Sequence, residues 1–163
     1  MKKKVVFLDR DGVINIERGD YTWKEEDLAW VPQLFESLSL LNDNDFDLIV
    51  ISNQGGISKG VYTKNDVLNI DRLFRAELKK HSIKLLDSFY CPHHSEQEAC
   101  LCRKPKSLML EKAMAKHNVN ANLSFFIGDS DRDINAGQKV GIKGLKVVAN
   151  DSILEMCKNL IHG

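Results

Sequence analysis

Short apolar runs separated by amphipathic segments recur along the chain. The runs lie at 5–8, 48–51, 86–90, 123–127 and 145–149. Because they are continuous in hydrophobic residues and do not alternate with polar ones, they are typical of strands covered on both faces. Strands that alternate with helices build right-handed βαβ units. We therefore expect an α/β protein, a Rossmann-like three-layer α/β/α sandwich with a central parallel sheet of about five strands.

The segments between the runs carry apolar residues at helical spacing and have readable ends. One begins after Pro32, another after Thr63, where Asp66 completes a capping-box pattern, and a third after Pro105. A last segment at 153–161 presents its apolar residues at the same spacing. We therefore expect a helix in each of these connections.

Two connections are longer than the few residues that usually join such elements, namely 12–31 and 91–104. Both follow the end of a predicted strand, where open α/β sheets bind their ligands. No linker or internal repeat divides the chain, and both connections are only loops. The expectation is one domain over 1–163 without a separate cap domain.

Charge and composition narrow the choice of partner. The 163 residues include 23 Lys and Arg against 23 Asp and Glu, so the formal net charge is zero. Neutrality argues against attraction of the whole surface to nucleic acid or to an anionic membrane. The apolar run after the N-terminal lysines spans only 5–8, which is too short for a secretory signal, and no run spans a bilayer. We therefore expect a cytoplasmic protein that binds neither nucleic acid nor membrane.

Carboxylates follow two of the predicted strands. Asp9 and Asp11 come after the first strand, and residues two apart on an extended segment point to the same side, with Arg10 directed the other way. One carboxylate can attack phosphorus while the other gives a proton to the leaving alcohol. A polar turn explains these residues equally well. After the fourth strand, Asp129 is placed to complete an oxygen shell for Mg²⁺, and Asp133 lies four residues on.

Donors suited to phosphate follow the second and third strands. The first set is Ser52, Asn53 and Gln54, followed by two glycines. The second is the adjacent pair Arg103 and Lys104. Turn residues and a solvated basic pair are the ordinary explanations, yet phosphoryl transfer requires a fixed cation besides a metal.

Three of the four cysteines, Cys91, Cys100 and Cys102, lie within twelve residues. In a reducing compartment such a cluster indicates a metal more than a disulfide. Together with His93, the thiolates make a closed tetrahedral Zn²⁺ site, which has a structural role. His94 is the alternative imidazole. Unliganded thiols are the other interpretation.

The motifs at the strand ends resemble, in order, the four motifs of the haloacid dehalogenase-like phosphatase superfamily. They are the segment 9–15, Ser52 with Asn53, Lys104, and the segment 128–133. The zinc loop 91–104 followed by Pro105 resembles the subgroup that contains heptose bisphosphate phosphatases and histidinol phosphatases. The resemblance covers essentially the whole chain.

The resemblance implies a role for each candidate residue. Asp9 is then the nucleophile and Asp11 the general acid and base. Mg²⁺ is held by the Asp9 carboxylate, the Asp11 backbone carbonyl and Asp129, with Asp133 outside the metal shell or linked to it through water. The remaining groups bind phosphate or substrate: Ser52, Asn53, Gln54, Arg103, Lys104, and Glu17 with Gly19 in a substrate-facing segment. Zn²⁺ is held by Cys91, His93, Cys100 and Cys102.

The function that the resemblance implies is a Mg²⁺-dependent phosphatase with an aspartyl-phosphate intermediate. Its expected substrate is a small phosphorylated metabolite, D-glycero-D-manno-heptose 1,7-bisphosphate at its 7-phosphate, and the protein is expected to be a monomer. Histidinol phosphate is the alternative substrate.

Two other classes of protein stay open. A phosphoacceptor signalling domain carries its acceptor Asp at the end of a middle strand, and a zinc-stabilised module binds without catalysis.

Overall fold

The computed structural model describes residues 2–162, so residues 1 and 163 of the predicted domain lie outside the described part. Five parallel strands form one sheet in the order β3-β2-β1-β4-β5. The strands are β1 Val5–Leu8, β2 Asp47–Asn53, β3 Leu85–Cys91, β4 Phe125–Gly128 and β5 Lys143–Lys146. The helices are α1 Leu34–Asp43, α2 Lys64–Lys80, α3 Leu108–His117, α4 Asp131–Gln138 and α5 Leu154–His162. The predicted parallel α/β sheet is confirmed.

Helices cover both faces of the sheet because the side chains of β1 alternate between two hydrophobic clusters. Val6 and Leu8 pack with the apolar faces of α1, α2 and α5. Val5 and Phe7 pack with those of α3 and α4. All four side chains are fully buried, which explains why the run is apolar without alternation. The three-layer arrangement follows from this packing.

The ends of two strands differ from the prediction. Residues 123–127 were expected to form a strand, but Ala121–Leu123 forms a 3₁₀ turn in which the Asn120 side chain accepts from the Asn122 N–H. The last strand is Lys143–Lys146 and not 145–149. Its partner β4 ends at Gly128, where the chain turns into α4, so the ladder ends there as well. The predicted capping box at Thr63 and Asp66 is present.

Parallel strands direct their carboxyl ends to one edge of the sheet. The long connection after β1 is irregular except for one 3₁₀ turn at Glu25–Asp27. It meets the connections after β2, β3 and β4 above the centre of the sheet, where residues at 9–11, 52–54, 103–104, 129–130 and 132–133 line two neighbouring cavities. No helix within 2–162 has the length and apolar character needed to cross a membrane.

Candidate active site

The Asp9 side chain lies at the end of the central strand and is tied down through one oxygen. Its Oδ1 accepts from the Arg10 backbone N–H at 2.8 Å and from Lys104 Nζ at 2.8 Å. Within the described residues, no donor reaches Oδ2 within hydrogen-bond distance. Burial, opposed by Lys104 and aided by the neighbouring carboxylates, raises the pKa of Asp9 to about 7. A cation at this site would hold the carboxylate ionised.

Lys104 is a buried cation between two carboxylates. Its side chain is 3% exposed, and Nζ lies 2.8 Å from Asp9 Oδ1 and 2.7 Å from Asp133 Oδ1. Nζ also donates to the Ile51 carbonyl at 2.8 Å. Burial opposes the charge of the ammonium, but Asp9 and Asp133 outweigh it and hold the pKa of Lys104 above its ordinary value. The charged lysine therefore joins the connection after β3 to β1 and α4.

Both oxygens of Asp133 are occupied by protein groups. Oδ1 pairs with Lys104, while Oδ2 accepts from the Ser130 backbone N–H at 3.1 Å and from Ser130 Oγ at 2.8 Å. This exchange is the capping box that begins α4. A side chain held in this way positions Lys104, and it suits a place outside a metal shell.

Asp129 lies close to Asp9, and these two carboxylates fit a divalent cation, whereas Asp133 lies beside them with both oxygens engaged by protein groups. One oxygen each of Asp9, Asp129 and Asp133 lies within 4.8 Å of the others. Burial, and next the Asp133 charge, raise the pKa of Asp129. The close approach requires glycine at position 12, because a Cβ there would overlap Asp129 Oδ2 and φ is +87°. Clustered carboxylate oxygens of this kind suit Mg²⁺.

Asp11 is held by three side chains. Its Oδ1 accepts from Arg10 Nη2 at 3.0 Å and from Asn15 Nδ2 at 2.9 Å, while Oδ2 accepts from Gln54 Nε2 at 3.1 Å. The prediction that Arg10 points away is therefore wrong. β1 ends at Leu8 and the chain bends at Arg10, whose carbonyl then accepts from three following N–H groups, so the alternation of an extended strand does not continue through Asp11. Arg10 is a site residue that the strand-based argument missed.

A chain of hydrogen bonds sets the orientation of the Gln54 amide. Tyr62 OH donates to Gln54 Oε1 at 2.6 Å, which commits Nε2 to donate to Ser52 Oγ at 2.7 Å and to Asp11. Burial raises the pKa of Tyr62 to about 12, so its hydroxyl stays protonated. Sequence reasoning missed Tyr62, since an aromatic residue in a loop carries no spacing signal.

Asn53 and Arg103 also lie at the mouth of the site. Asn53 uses both ends of its amide on the Lys104 backbone: Oδ1 accepts from the N–H at 3.0 Å, and Nδ2 donates to the carbonyl at 3.2 Å. Asn53 is thus engaged in holding Lys104. Arg103 Nη1 donates to the His93 carbonyl at 3.0 Å, which anchors one end of its guanidinium.

These groups line one cleft of about 430 Å³. Glu17 and Gly19 lie on its rim, as the resemblance implies, and Glu17 Oε1 accepts from the Gly19 N–H at 2.7 Å. Ser52 is buried and does not line the cleft. The other lining residues that sequence reasoning did not assign include Asp20, Tyr21, His94 and Arg132.

The predicted zinc ligands converge. One ligating atom each of Cys91, His93, Cys100 and Cys102 lies within 4.8 Å of the others, and His94 stands outside the cluster. His93 Nδ1 lies 3.2 Å from Cys102 Sγ, and the Arg103 N–H donates to Cys100 Sγ at 3.4 Å. Three thiols and one imidazole in this arrangement suit a four-coordinate Zn²⁺.

Known proteins are similar to this chain in sequence and in fold. The model of HAD-hydrolase-like proteins matches residues 101–152. The chain is 37% identical over 147 residues to D-glycero-alpha-D-manno-heptose-1,7-bisphosphate 7-phosphatase of Photorhabdus laumondii, covering 86% of this chain and 80% of that protein. It is 35% identical over 162 residues to D-glycero-beta-D-manno-heptose-1,7-bisphosphate 7-phosphatase of Helicobacter pylori, covering 96% of this chain and 92% of that protein.

Solved structures agree with the fold. The D,D-heptose 1,7-bisphosphate phosphatase from B. bronchiseptica, crystallised with magnesium and phosphate, superposes with a TM-score of 0.85 at 24% identity, covering 94% of this chain and 86% of that one. The chain is therefore a phosphatase of the haloacid dehalogenase-like class. Within that class it belongs to the family of the heptose-1,7-bisphosphate 7-phosphatases.

We expect Tyr62→Phe to lower kcat about fivefold while KM stays within about twofold, because the Gln54 amide loses the bond that fixes its orientation. Steady-state hydrolysis of p-nitrophenyl phosphate measures both constants. Tyr90→Phe is the matched control, since within the described residues the Tyr90 hydroxyl makes no hydrogen bond. Equal kcat values for the two variants would contradict the role of Tyr62.

Proposed function

We propose that this protein removes the 7-phosphate of D-glycero-D-manno-heptose 1,7-bisphosphate, through an aspartyl-phosphate on Asp9. The observation that carries the proposal is the carboxylate and lysine cluster at the end of β1, in a chain whose relatives are named for this reaction. Those relatives are named for both the alpha and the beta anomer. The proposal concerns the phosphate that is removed and not the anomer.

The charges around the cleft support a substrate with a second phosphate. Besides buried Lys104, the lining includes Arg103 and Arg132. Neither guanidinium forms a salt bridge with a carboxylate among residues 2–162. A second phosphate can accept from such unpaired guanidinium groups. Histidinol phosphate carries one phosphate and an ammonium group, so it has no second anion to pair with the guanidinium groups of Arg103 and Arg132.

The chemistry assigns separate tasks to the two carboxylates. Asp9 Oδ2 attacks phosphorus, the bond from phosphorus to the sugar oxygen breaks, and the Asp11 carboxyl gives its proton to that oxygen. Asp11 then takes a proton from water, whose oxygen attacks the aspartyl-phosphate and releases inorganic phosphate. Lys104 stabilises charge on the phosphoryl oxygens throughout.

We propose Mg²⁺ and Zn²⁺ as the two metals. Asp9, Asp129 and the Asp11 backbone carbonyl would hold Mg²⁺, which when bound neutralises phosphoryl charge. Cys91, His93, Cys100 and Cys102 would hold Zn²⁺, which stiffens the loop that carries Lys104. Free thiols of this kind suit a reducing compartment, and we propose the cytoplasm.

The proposal treats 1–163 as a single phosphatase domain, with the zinc loop at 91–104, that acts as a monomer. Its support is that one chain supplies every group in the described site. The position of Asp9 alone does not separate a phosphatase from a phosphoacceptor domain, since β1 is first in the chain but central in the sheet; the sequence relatives support the phosphatase. The arrangement of Asp11 beside Asp9 favours hydrolysis, because a second carboxylate can activate water.

Turnover of purified protein with Mg²⁺ tests the function directly. We expect kcat/KM for the heptose bisphosphate to exceed that for histidinol phosphate by at least about tenfold, because the second phosphate meets the unpaired guanidinium groups. Equal or greater kcat/KM for histidinol phosphate would reverse this order. Stable phosphorylation of the protein without repeated turnover would support the phosphoacceptor class.

We expect Asp9→Asn to lower kcat by at least about a thousandfold, because the amide cannot attack phosphorus. The Asn Oδ1 retains the acceptor used by Arg10 and Lys104, so the fold and zinc content should not change. Phosphate release and metal analysis measure the two effects. Asp131→Asn is the matched control, as its side chain is 81% exposed and pairs with Lys146. Retained turnover in Asp9→Asn would rule out the nucleophile assignment.

We expect about one zinc per chain in the wild type and loss of zinc in Cys102→Ser, with a lower Tm, because the closed site loses a thiolate. Elemental analysis and thermal unfolding measure these results. Cys157→Ala is the control: Cys157 is a buried thiol on α5, outside the cluster, and this variant should keep its zinc. Zinc-free wild-type protein with unchanged Tm and activity would contradict a structural zinc.

A further inference from the structure

Asn150 contacts two loops of the site from a connection that the mechanism does not use. It lies between β5 and α5. Its backbone N–H donates to the Gly12 carbonyl at 2.8 Å. Its side chain forms two hydrogen bonds with the Glu17 backbone: Oδ1 accepts from the N–H at 2.6 Å, and Nδ2 donates to the carbonyl at 3.0 Å.

The residue type matches the position. Asn150 has a φ of +72°, in the left-handed region that asparagine and glycine tolerate better than other residues. Of these two, only asparagine also offers one donor and one acceptor on a planar group. The paired bonds to Glu17 use both, so a backbone requirement and a side-chain requirement coincide at one residue.

The loop that Asn150 holds has few other ties. Residues 17–20 are exposed and form neither helix nor strand. Among the described residues, the two bonds from the Asn150 amide are the only hydrogen bonds that join the backbone of 17–20 to the rest of the chain. Arg18 adds a side-chain ion pair with Asp27 at 2.8 Å. The position of Glu17 also affects that of Gly19, because Glu17 Oε1 accepts a hydrogen bond from the Gly19 N–H.

We infer that Asn150 is a positioning residue for substrate recognition, which fixes the rim formed by Glu17 and Gly19 relative to the catalytic loop at Gly12. The inference rests on the proposed function, because this rim faces the part of the substrate beyond the scissile phosphate. Gly12 lies directly beside Asp129, so one residue sets the distance between the rim and the reacting groups. The role requires a selective effect on substrates that reach the rim.

The test compares two substrates in two variants. Asn150→Gly keeps the backbone conformation and the bond to Gly12 but loses both bonds to Glu17. Asn150→Asp keeps the acceptor for the Glu17 N–H and loses the donor. For the heptose bisphosphate we expect KM to rise about tenfold in Asn150→Gly and less in Asn150→Asp, with kcat within about twofold. For p-nitrophenyl phosphate, which lacks the sugar hydroxyls and the second phosphate that the rim would contact, both constants should stay within about twofold.

Hydrogen–deuterium exchange provides a readout that needs no substrate. The peptide containing Glu17 and Gly19 should exchange faster in Asn150→Gly than in the wild type, while peptides from β1 should not change. Asp151→Asn is the matched control, as Asp151 is the exposed neighbour of Asn150 and its side chain makes no hydrogen bond within the described chain. It should resemble the wild type in both measurements.

The results separate the two proposals. If the wild type fails to prefer the heptose bisphosphate over p-nitrophenyl phosphate, the proposed function fails, and the exchange experiment still decides whether Asn150 holds the rim. If the wild type has the preference, an unchanged KM ratio in both variants overturns the role of Asn150. An equal loss on both substrates overturns it too, because that result indicates general support of the fold.

Discussion

The buried ammonium of Lys104 is the interaction on which the site depends. Two carboxylates, Asp9 and Asp133, come from different strand ends and would repel each other in a buried place without it. With the lysine between them, β1, the connection after β3 and the start of α4 are held together by one charge. The same contact orients Asp9, because it engages Oδ1 and leaves Oδ2 without a donor among the described residues.

Three neighbouring groups support Lys104. Asn53 brackets its backbone, the Ser130 capping box fixes Asp133, and the thiol and imidazole cluster ends two residues before it. A zinc ion in that cluster would therefore act on catalysis through geometry alone. This arrangement gives the loop after β3, which lacks a hydrophobic core of its own, the rigidity that an aligned cation requires.

The features that depend on local pattern were predictable from the sequence. The five strands, the α2 capping box and the convergence of Cys91, His93, Cys100 and Cys102 each follow from patterns along the chain. The geometry of Arg10 was not predictable, because it depends on where β1 ends and the turn begins. Tyr62 and Asn150 were also missed, because neither position shows a spacing signal, and Asn150 contacts Glu17 from 133 residues away along the chain.

The two sides of the cleft differ in burial and in the number of contacts that hold them. Asp9 directly follows the central strand, whose side chains are fully buried, whereas residues 17–20 at the rim are exposed and form few hydrogen bonds with the rest of the described chain. Mutations in such a rim disturb little of the core. The residues that line this part of the cleft can therefore diverge in evolution while Asp9, Lys104 and Asp133 keep their contacts.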